Sequence, residues 1–551
     1  MVFVPRYFQT EAVLAVSAYM ARNPGKSPLV AAPGGSGKSG MAAMLIHHIL
    51  KSGKTVLYLT MSAPLVEQTF EHILKVSADT AARCSIACAE LGKTSFKGAA
   101  VVGTAQSVIK HLDKLGGFAY IIVDEAHTIP RDPKSMYGKI FAACGAPIIH
   151  LSGTPWRMDS GLLHEGPGAT ADALVYQVPC KVVQDEGYIV RNRYAKAKVE
   201  IDASQIKLTR GEFNQREMED IAMDMALCAS MAKDIKARFE AEKRASCICF
   251  CVSIDHAEMM ADQLRAIGMR AEAVSSLDGK ADKRTKLKGF KLGVDIDVLC
   301  QVRMAGTGFD APRVDMIAWA TATNSAGFFT QGTWRGSRVI FAPGMPTDTP
   351  AERLAAIAAG PKSYCRVVDY GGNLFRHGVI EDIEKGGIAE AKKKYVKART
   401  CPNIACEEIV SRTAEQCPVC GEKIFSHARA LQQSKKASLD LIRGAWVGCE
   451  DYWFGIHTKA GSRDSLRITF RTDDGKNYAM WVSFEADSFT RTKSERRWKA
   501  LGGGGPFPSS AASALRRAEG GELKKPYSVK LQKDLKSGFV GVADVDMIGD
   551  K

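Results

Sequence analysis

No apolar run in this chain approaches the roughly 18 residues a membrane-spanning helix requires. The opening MVFVPRYFQTEAV also lacks the charged start and small-residue cleavage site of a secretory signal. These absences set the expectation of a cytoplasmic protein that spans no membrane. Aromatic residues make up only 8% of the chain, and acidic residues are outnumbered, 60 Asp and Glu against 75 Lys and Arg. The resulting formal charge of +15 suits a partner with an acidic backbone such as nucleic acid, or simply a basic soluble surface. An acidic cluster of the kind a nuclease needs is missing too.

What is present is ordinary globular material. The 551 residues, 46% hydrophobic and 25% charged, suffice for three or four domains with substantial cores. The fifteen cysteines are an odd number, and most sit in apolar runs. In Cys247-Ile248-Cys249-Phe250-Cys251 a strand puts all three thiols on one face, which reads as core. Only Cys401, Cys406, Cys417 and Cys420, in CPNIAC, ten further residues and CPVCG, have ligand spacing. Two such thiolate pairs can close a structural Zn²⁺ site; free thiols or a disulfide are the alternatives, the disulfide being disfavoured in a reducing compartment.

The chain is organised around Ala32 to Ser39, APGGSGKS, between the apolar Leu29-Val30-Ala31 and a helix-compatible run. Small residues at Gly34, Gly35, Ser36 and Gly37 let backbone N–H groups turn toward phosphate oxygens, at the positive end of the helix that follows. Lys38 then reaches the β and γ phosphates, and Ser39 offers a hydroxyl to the Mg²⁺ that accompanies ATP. The first glycine of the usual pattern is Ala32 here. About 30 residues upstream, Arg6-Tyr7-Phe8-Gln9 can read adenine: the Gln9 amide pairs with the base edge, and Arg6 or Phe8 covers its plane.

Apolar runs at Val56 to Leu59, Ala100 to Gly103, Tyr120 to Val123 and Ile148 to Leu151 alternate with helix-like segments, which predicts an α/β fold with a doubly wound parallel sheet. Polar clusters follow those runs, among them Ala63 to Gln68, Thr104 to Ser107, Asp124 to His127 and Ser152 to Pro155. Asp124 is placed to hold the Mg²⁺ shell and Glu125 to orient and deprotonate the attacking water. A second alternating region starts near residue 188 and has no phosphate loop. It carries Gly306 to Pro312 and Gln331 to Arg338 instead, with Arg335 and Arg338 one helical turn apart, a spacing that suits a γ-phosphate across a cleft.

In this order the motifs resemble the superfamily 2 helicases of the DEAH form, over roughly residues 1 to 378. The resemblance implies two RecA-like parallel-sheet domains, 1–187 and 188–378, with ATP and Mg²⁺ between them. It assigns Lys38, Asp124, Glu125, Arg335 and Arg338 to catalysis and Gly308, Asp310 and Gln331 to the nucleotide. His127, Ser152 and Thr154 would couple hydrolysis to motion, and Pro64, Gly103, Thr104, Gln106, Ser253 and Thr307 would touch nucleic acid. Two departures stand out: Trp334 occupies the usual glycine of the arginine motif, and Ser-Gly-Thr-Pro replaces the commoner Thr-Ala-Thr-Pro.

Beyond the core come a charged helical linker at 379–399, a zinc ribbon at 400–424 and a β-containing accessory domain at 437–551. In the last, Trp446, Tyr452, Trp453, Phe454 and Trp498 lie among Lys and Arg. They can pack a core or stack on bases, so nucleic-acid binding stays open there. The whole order is similar to the RadD type of DNA-repair helicase. That likeness implies DNA, single-stranded or branched, as the substrate, with single-strand-binding or repair proteins as partners. Neither motifs nor charge separates DNA from RNA.

Overall fold

The computed structural model describes residues 3–157, 161–166, 168–203, 206–209, 212–302, 310–383, 398–403, 405–424, 445–458, 463–473, 475–484, 488–533 and 540–548. The chain divides into two compact units, Met1–Ile424 and Phe425–Lys551. No helix among the described residues is long and apolar enough to cross a membrane.

The first unit contains two eight-stranded sheets. In the first, the spatial order is Lys93–Thr94, Cys84–Cys88, Ala100–Thr104, Val56–Thr60, Tyr120–Val123, Ile148–Ser152, Pro28–Ala31 and Ala173–Gln177, all pairings parallel except that of Lys93–Thr94. These strands are continuous apolar runs because both faces are covered. Val56 and Tyr58 enter one core while Leu57 and Leu59 enter another on the opposite face. The second sheet runs Ala271–Val274, Val298–Gln301, Cys247–Cys251, Met316–Ala320, Tyr364–Asp369 and Arg191–Lys196, all parallel.

Two antiparallel strands, Glu408–Ser411 and Ala398–Thr400, extend that second sheet at its Arg191–Lys196 edge. The cysteine-bearing segment is thereby built onto the sheet. Arg366 fixes the join, donating to Glu408 at 2.5 Å and to Glu242 at 2.8 Å. Cys247, Cys249 and Cys251 are buried together on one face as their spacing implies, and the sulfurs of Cys249, Cys251 and Cys300 lie within 4.8 Å of one another. Ile248 and Phe250 point the other way, into an apolar cluster shared with Val30, Ala32 and Tyr58 of the first sheet. One continuous core therefore joins the two sheets and fixes the cleft between them. The linker residues 384–397 lie outside the described residues.

In the second unit the five strands are antiparallel. The long strand Ala445–His457 pairs through Ala445 to Gly448 with Ser528–Lys533, shifts register between Cys449 and Asp451, and then pairs with Ser465–Thr472. Asn477–Ser483 and Val540–Asp546 complete the sheet at its two edges and come into contact with each other. The sheet is therefore curled into a partly closed barrel. Helices Ser488–Ala500 and Ala511–Glu519 connect the third strand to the fourth, and Trp498, Leu501 and Ala514 join Leu466, Ile468 and Phe470 in its core. Gly502 to Gly505, which reads in the sequence as a flexible break, is held by Arg517 on the Gly504 carbonyl and by the Gly504 N–H on Glu522.

Candidate active site

The phosphate-loop strand Pro28–Ala31 lies between Ile148–Ser152 and the edge strand Ala173–Gln177, and its loop leads into helix Lys38–Lys51. Gly35 and Gly37 have φ of +88° and +89°, a backbone region costly to any side chain. At Gly37 a Cβ would also lie 2.5 Å from Gln9 Nε2. Lys38 Nζ donates to the Ala32 carbonyl at 3.3 Å and stands 3.6 Å from Glu125 Oε1. Ser39 lines the same cleft, and the buried Ser36 hydroxyl closes the loop on Pro33 at 2.7 Å.

Arg6, Phe8 and Gln9 pack against the phosphate loop and Tyr188. Gln9 accepts from the Arg6 N–H at 2.9 Å and donates to the Gly37 carbonyl at 3.0 Å. Among the described residues, one donor and one lone pair of the amide are left uncommitted. Arg6 donates to the Ser36 carbonyl at 3.0 Å while its guanidinium lies over Tyr188. Phe8 is buried edge-on against the same ring. The segment braces the phosphate loop; Tyr188, with Arg353 also over it, is a part of this brace that no sequence motif announced.

Strand Tyr120–Val123 delivers the acidic pair. Asp124 accepts from its neighbour's N–H at 2.9 Å and from the Tyr58 hydroxyl at 3.1 Å. Burial, with Glu125 alongside, pushes its carboxyl up to about 6. Glu125 has φ of +50°, an unusual conformation for a side-chain-bearing residue and one that turns its carboxylate into the cleft. Burial acts to raise its pKa, but the Lys38 ammonium, with the Arg335 guanidinium adding to it, holds it below the ordinary value, and Gly153 N–H donates to it.

His127 joins the two sheets. Its Nδ1 lies 3.0 Å from Ser152 Oγ, and Ser152 donates onward to the Thr154 carbonyl at 2.6 Å. That polarity puts the imidazole proton on Nδ1 and leaves Nε2 to accept from Gln331 Nε2 at 2.7 Å. Burial lowers its pKa, so the ring is neutral near pH 7.

The second sheet closes the cleft. Asp310, Gln331, Trp334, Arg335 and Arg338 line it opposite Gly34, Lys38, Asp124 and Glu125. Arg338 donates to Asp310 at 2.7 Å; Arg335 is buried, which brings its pKa down to about 10, with Glu125 opposing that shift. Trp334 is buried between two loops of the first sheet. A Cβ added at Gly34 would lie 2.8 Å from Trp334 Cβ, and one at Gly153 would lie 2.9 Å from the indole. The glycine lost from the arginine motif is thus matched by glycines on the facing loops. Among the described residues its indole N–H has no hydrogen-bond partner. Gln68 and His72 also line the cleft; His72 belongs to no motif, though its spacing of four from Gln68 on helix Ala63–Val76 was available to find it.

Of the residues implied to touch nucleic acid, Thr307, like Gly308 of the nucleotide set, lies outside the described residues. Pro64 is exposed in the first turn of its helix and Gln106 is exposed after strand Ala100–Thr104. Thr104 donates to Ser107 at 2.9 Å, and Ser253 caps helix Ile254–Ala266 through the His256 N–H at 3.1 Å. Gly103 has a packing reason of its own, since a Cβ there would strike the Ala87 carbonyl at 2.6 Å. Separately, the sulfurs of Cys401, Cys406, Cys417 and Cys420 all lie within 4.8 Å of one another.

Two parallel-sheet RecA-like domains face each other across this cleft, the fold of helicase-type enzymes that hydrolyse ATP. More particularly, residues 2–157 match the family described as type III restriction enzyme, res subunit, a stretch that holds the phosphate loop, the acidic pair and Ser152 to Thr154. A 51.5 kDa protein of Lactococcus phage (isolate 7-9) is 23% identical over 426 residues, covering 75% of this chain and 82% of that one. The fragment structure of a putative HsdR subunit of a type I restriction enzyme from Vibrio vulnificus YJ016 is similar in fold. Its TM-score is 0.53 at 18% identity, over 69% of this chain and 67% of that chain. The type ISP restriction-modification enzyme LlaBIII bound to DNA gives a TM-score of 0.46 at 15% identity, and this chain spans 28% of its length.

Proposed function

We propose that the chain is an ATP-dependent DNA helicase or translocase of superfamily 2, of the RadD type, acting in DNA repair, recombination or replication. The observation that carries the reading is the bridge across the cleft. Gln331 and Arg335 from the second sheet reach His127 and Glu125 of the first, so the site is complete only when both sheets face each other. In this reading the γ-phosphate enters between Lys38 and Glu125, and Arg335 and Arg338 take up the charge that spreads over its oxygens. Ser39 and Asp124 would hold Mg²⁺, whose chemistry is to neutralise the phosphates; the buried Asp124 carboxylate and the adjacent hydroxyl are hard oxygen donors of the right kind. Glu125, kept ionised by the cations around it, takes the proton of the attacking water. Hydrolysis then loosens the bridge through His127, Ser152 and Thr154, and each cycle of closure and reopening shifts the grip on one DNA strand.

The four-cysteine cluster fits a structural Zn²⁺. Four thiolates about 2.3 Å from one ion stand about 3.8 Å apart; Cys401 and Cys420 are 3.5 Å apart and Cys406 and Cys417 are 3.7 Å apart. Such a site would lock the hairpin that extends the second sheet.

Steady-state ATP hydrolysis by wild type and Lys38→Ala, alone and with single-stranded DNA, duplex DNA or RNA, tests the proposal. Stimulation by DNA that disappears in Lys38→Ala supports it, and stimulation by RNA alone replaces DNA with RNA as the substrate. ATP turnover on DNA without separation of any forked or tailed duplex removes the unwinding step and leaves a translocase or a remodeller of bound proteins.

A further inference from the structure

We infer that the barrel of the second unit carries its own binding site for single-stranded nucleic acid on the outer face of its first three strands. The inference deepens the reading above and rests on it only for the identity of the polymer.

The connectivity comes first. The long first strand pairs with the second and the fourth, the third follows the second, the fifth follows the fourth, and the third and fifth meet to close the barrel, with the helices inserted between the third and fourth. This is the strand order of a five-stranded Greek-key barrel of the OB type, an architecture whose outer surface over strands two and three suits extended polymers.

The residues on that face follow from the register. Trp453 lies opposite Thr469 and Ala479, Gly455 opposite Arg467 and Trp481, and Asp451 opposite Arg471 and Asn477. Leu466, Ile468 and Phe470 alternate to the inside, so Arg467 and Arg471 point outward and are exposed. Trp453 is 43% exposed, an unusual state for the largest apolar side chain. Of the five aromatics the sequence offered for stacking, Trp498 is fully buried, Tyr452 and Phe454 pack against the core and Trp446 is half-buried with Lys530 over its ring, which leaves Trp453 as the most exposed member; Trp481, outside that set, joins it on this face.

Gly455 makes the face a slot. Its backbone takes no left-handed φ, and a Cβ built there would meet nothing within 4 Å. The floor is therefore open, with Trp453 and His457 two residues away along the strand and Arg467 and then Trp481 across it. His457 and Trp481 face each other edge-on, with ring centroids 6.2 Å apart. Arg467 has no ion-pair partner among the described residues, while Arg471 stands 3.8 Å from Glu450, both exposed. A flat floor between aromatic planes beside an uncompensated guanidinium matches an unpaired base and its phosphate. The charge of the whole unit agrees, with 22 Lys and Arg against 15 Asp and Glu in residues 425–551.

The experiment uses the full chain without nucleotide and fluorescently labelled 20-residue oligo(dT), oligo(U) and a duplex of equal length, followed by anisotropy across a salt series. Trp453→Ala and Arg467→Ala each weaken single-strand binding about tenfold, and Arg467→Ala reduces the salt slope by about one. Gly455→Val fills the slot without strain and weakens binding as much, while Arg516→Ala, an equal loss of charge on helix Ala511–Glu519, leaves it intact. ATP hydrolysis without nucleic acid is unchanged in all four. Comparison of oligo(dT) with oligo(U) identifies the sugar the face accepts. Wild-type affinity in Trp453→Ala, Arg467→Ala and Gly455→Val overturns the inference, and so does equal affinity for the duplex. Lys38→Ala separates the two proposals: loss of turnover with oligonucleotide binding retained leaves the barrel site standing whatever becomes of the motor.

Discussion

Replacing Trp334 with Gly restores the residue usual in the arginine motif, and simple analogy expects a better enzyme. The structure gives the opposite expectation. A buried indole removes about 150–250 Å² from water, worth about 4–6 kcal/mol at ~25 cal/mol/Å². Helix Ala326–Thr333 and its own sheet account for part of that contact, and the loops at Gly34 and Gly153 for the rest. If half faces those loops, Trp334→Gly weakens closure by about 2–3 kcal/mol, and at ~1.4 kcal/mol per decade kcat/KM for ATP falls about 30- to 100-fold. Gly153 also donates its N–H to Glu125, so loosening that loop lowers kcat as well as raising KM. Steady-state ATP hydrolysis by Trp334→Gly and Trp334→Phe measures this, with Phe intermediate. A double-mutant cycle sharpens it: Gly153→Ala alone pushes a methyl to within 2.9 Å of the indole and costs about 1–3 kcal/mol, whereas in the Trp334→Gly background it is close to neutral. Unchanged or improved kcat/KM in Trp334→Gly, or strictly additive effects, refutes the wedge.

Three further outcomes follow. Glu125→Gln retains ATP binding by equilibrium dialysis but loses about 10²- to 10⁴-fold in kcat, as expected on removing a general base; near-normal turnover would take Glu125 out of that role. Cys417→Ser lowers both bound zinc, measured by elemental analysis of the purified protein, and the temperature of the first unfolding transition, because the hairpin it anchors forms the edge of the second sheet; zinc-free wild type of unchanged stability would contradict this. His150 is fully buried in strand Ile148–Ser152, donating to the Pro28 carbonyl at 3.3 Å, and burial lowers its pKa to about 4 from 6.5. Above pH 6.5 both states are neutral and stability is complete. Between pH 6.5 and 4 only the unfolded chain takes the proton, so up to about 3 kcal/mol is lost. Urea titrations from pH 7 to 4 show that slope, and His150→Leu flattens it.

The sequence by itself determined the local chemistry. A phosphate loop needs glycines, lysine and a hydroxyl at fixed spacing and an acidic pair can end an apolar strand; the two arginines share no α-helical face, since Arg335 lies in the short 3₁₀ turn Trp334–Gly336 and Arg338 beyond it, yet Gly35, Lys38, Asp124, Glu125, Arg335 and Arg338 could all be picked out of the sequence as candidates, as could the paired cysteines and the parallel strands. Each of these depends on contacts within a few residues. What only the tertiary structure decided involves partners far apart in the chain. Gln9 turns to Gly37, Trp334 finds Gly34 and Gly153, Gln331 reaches His127, and Arg366 ties the cysteine hairpin to the second sheet. The same holds for the aromatics near the end: Trp453 and Trp498 look alike in sequence, but strand alternation and the packing of two helices send Trp498 into the core and leave Trp453 on the open face. Burial is a property of the sheet as assembled, and no single segment carries it.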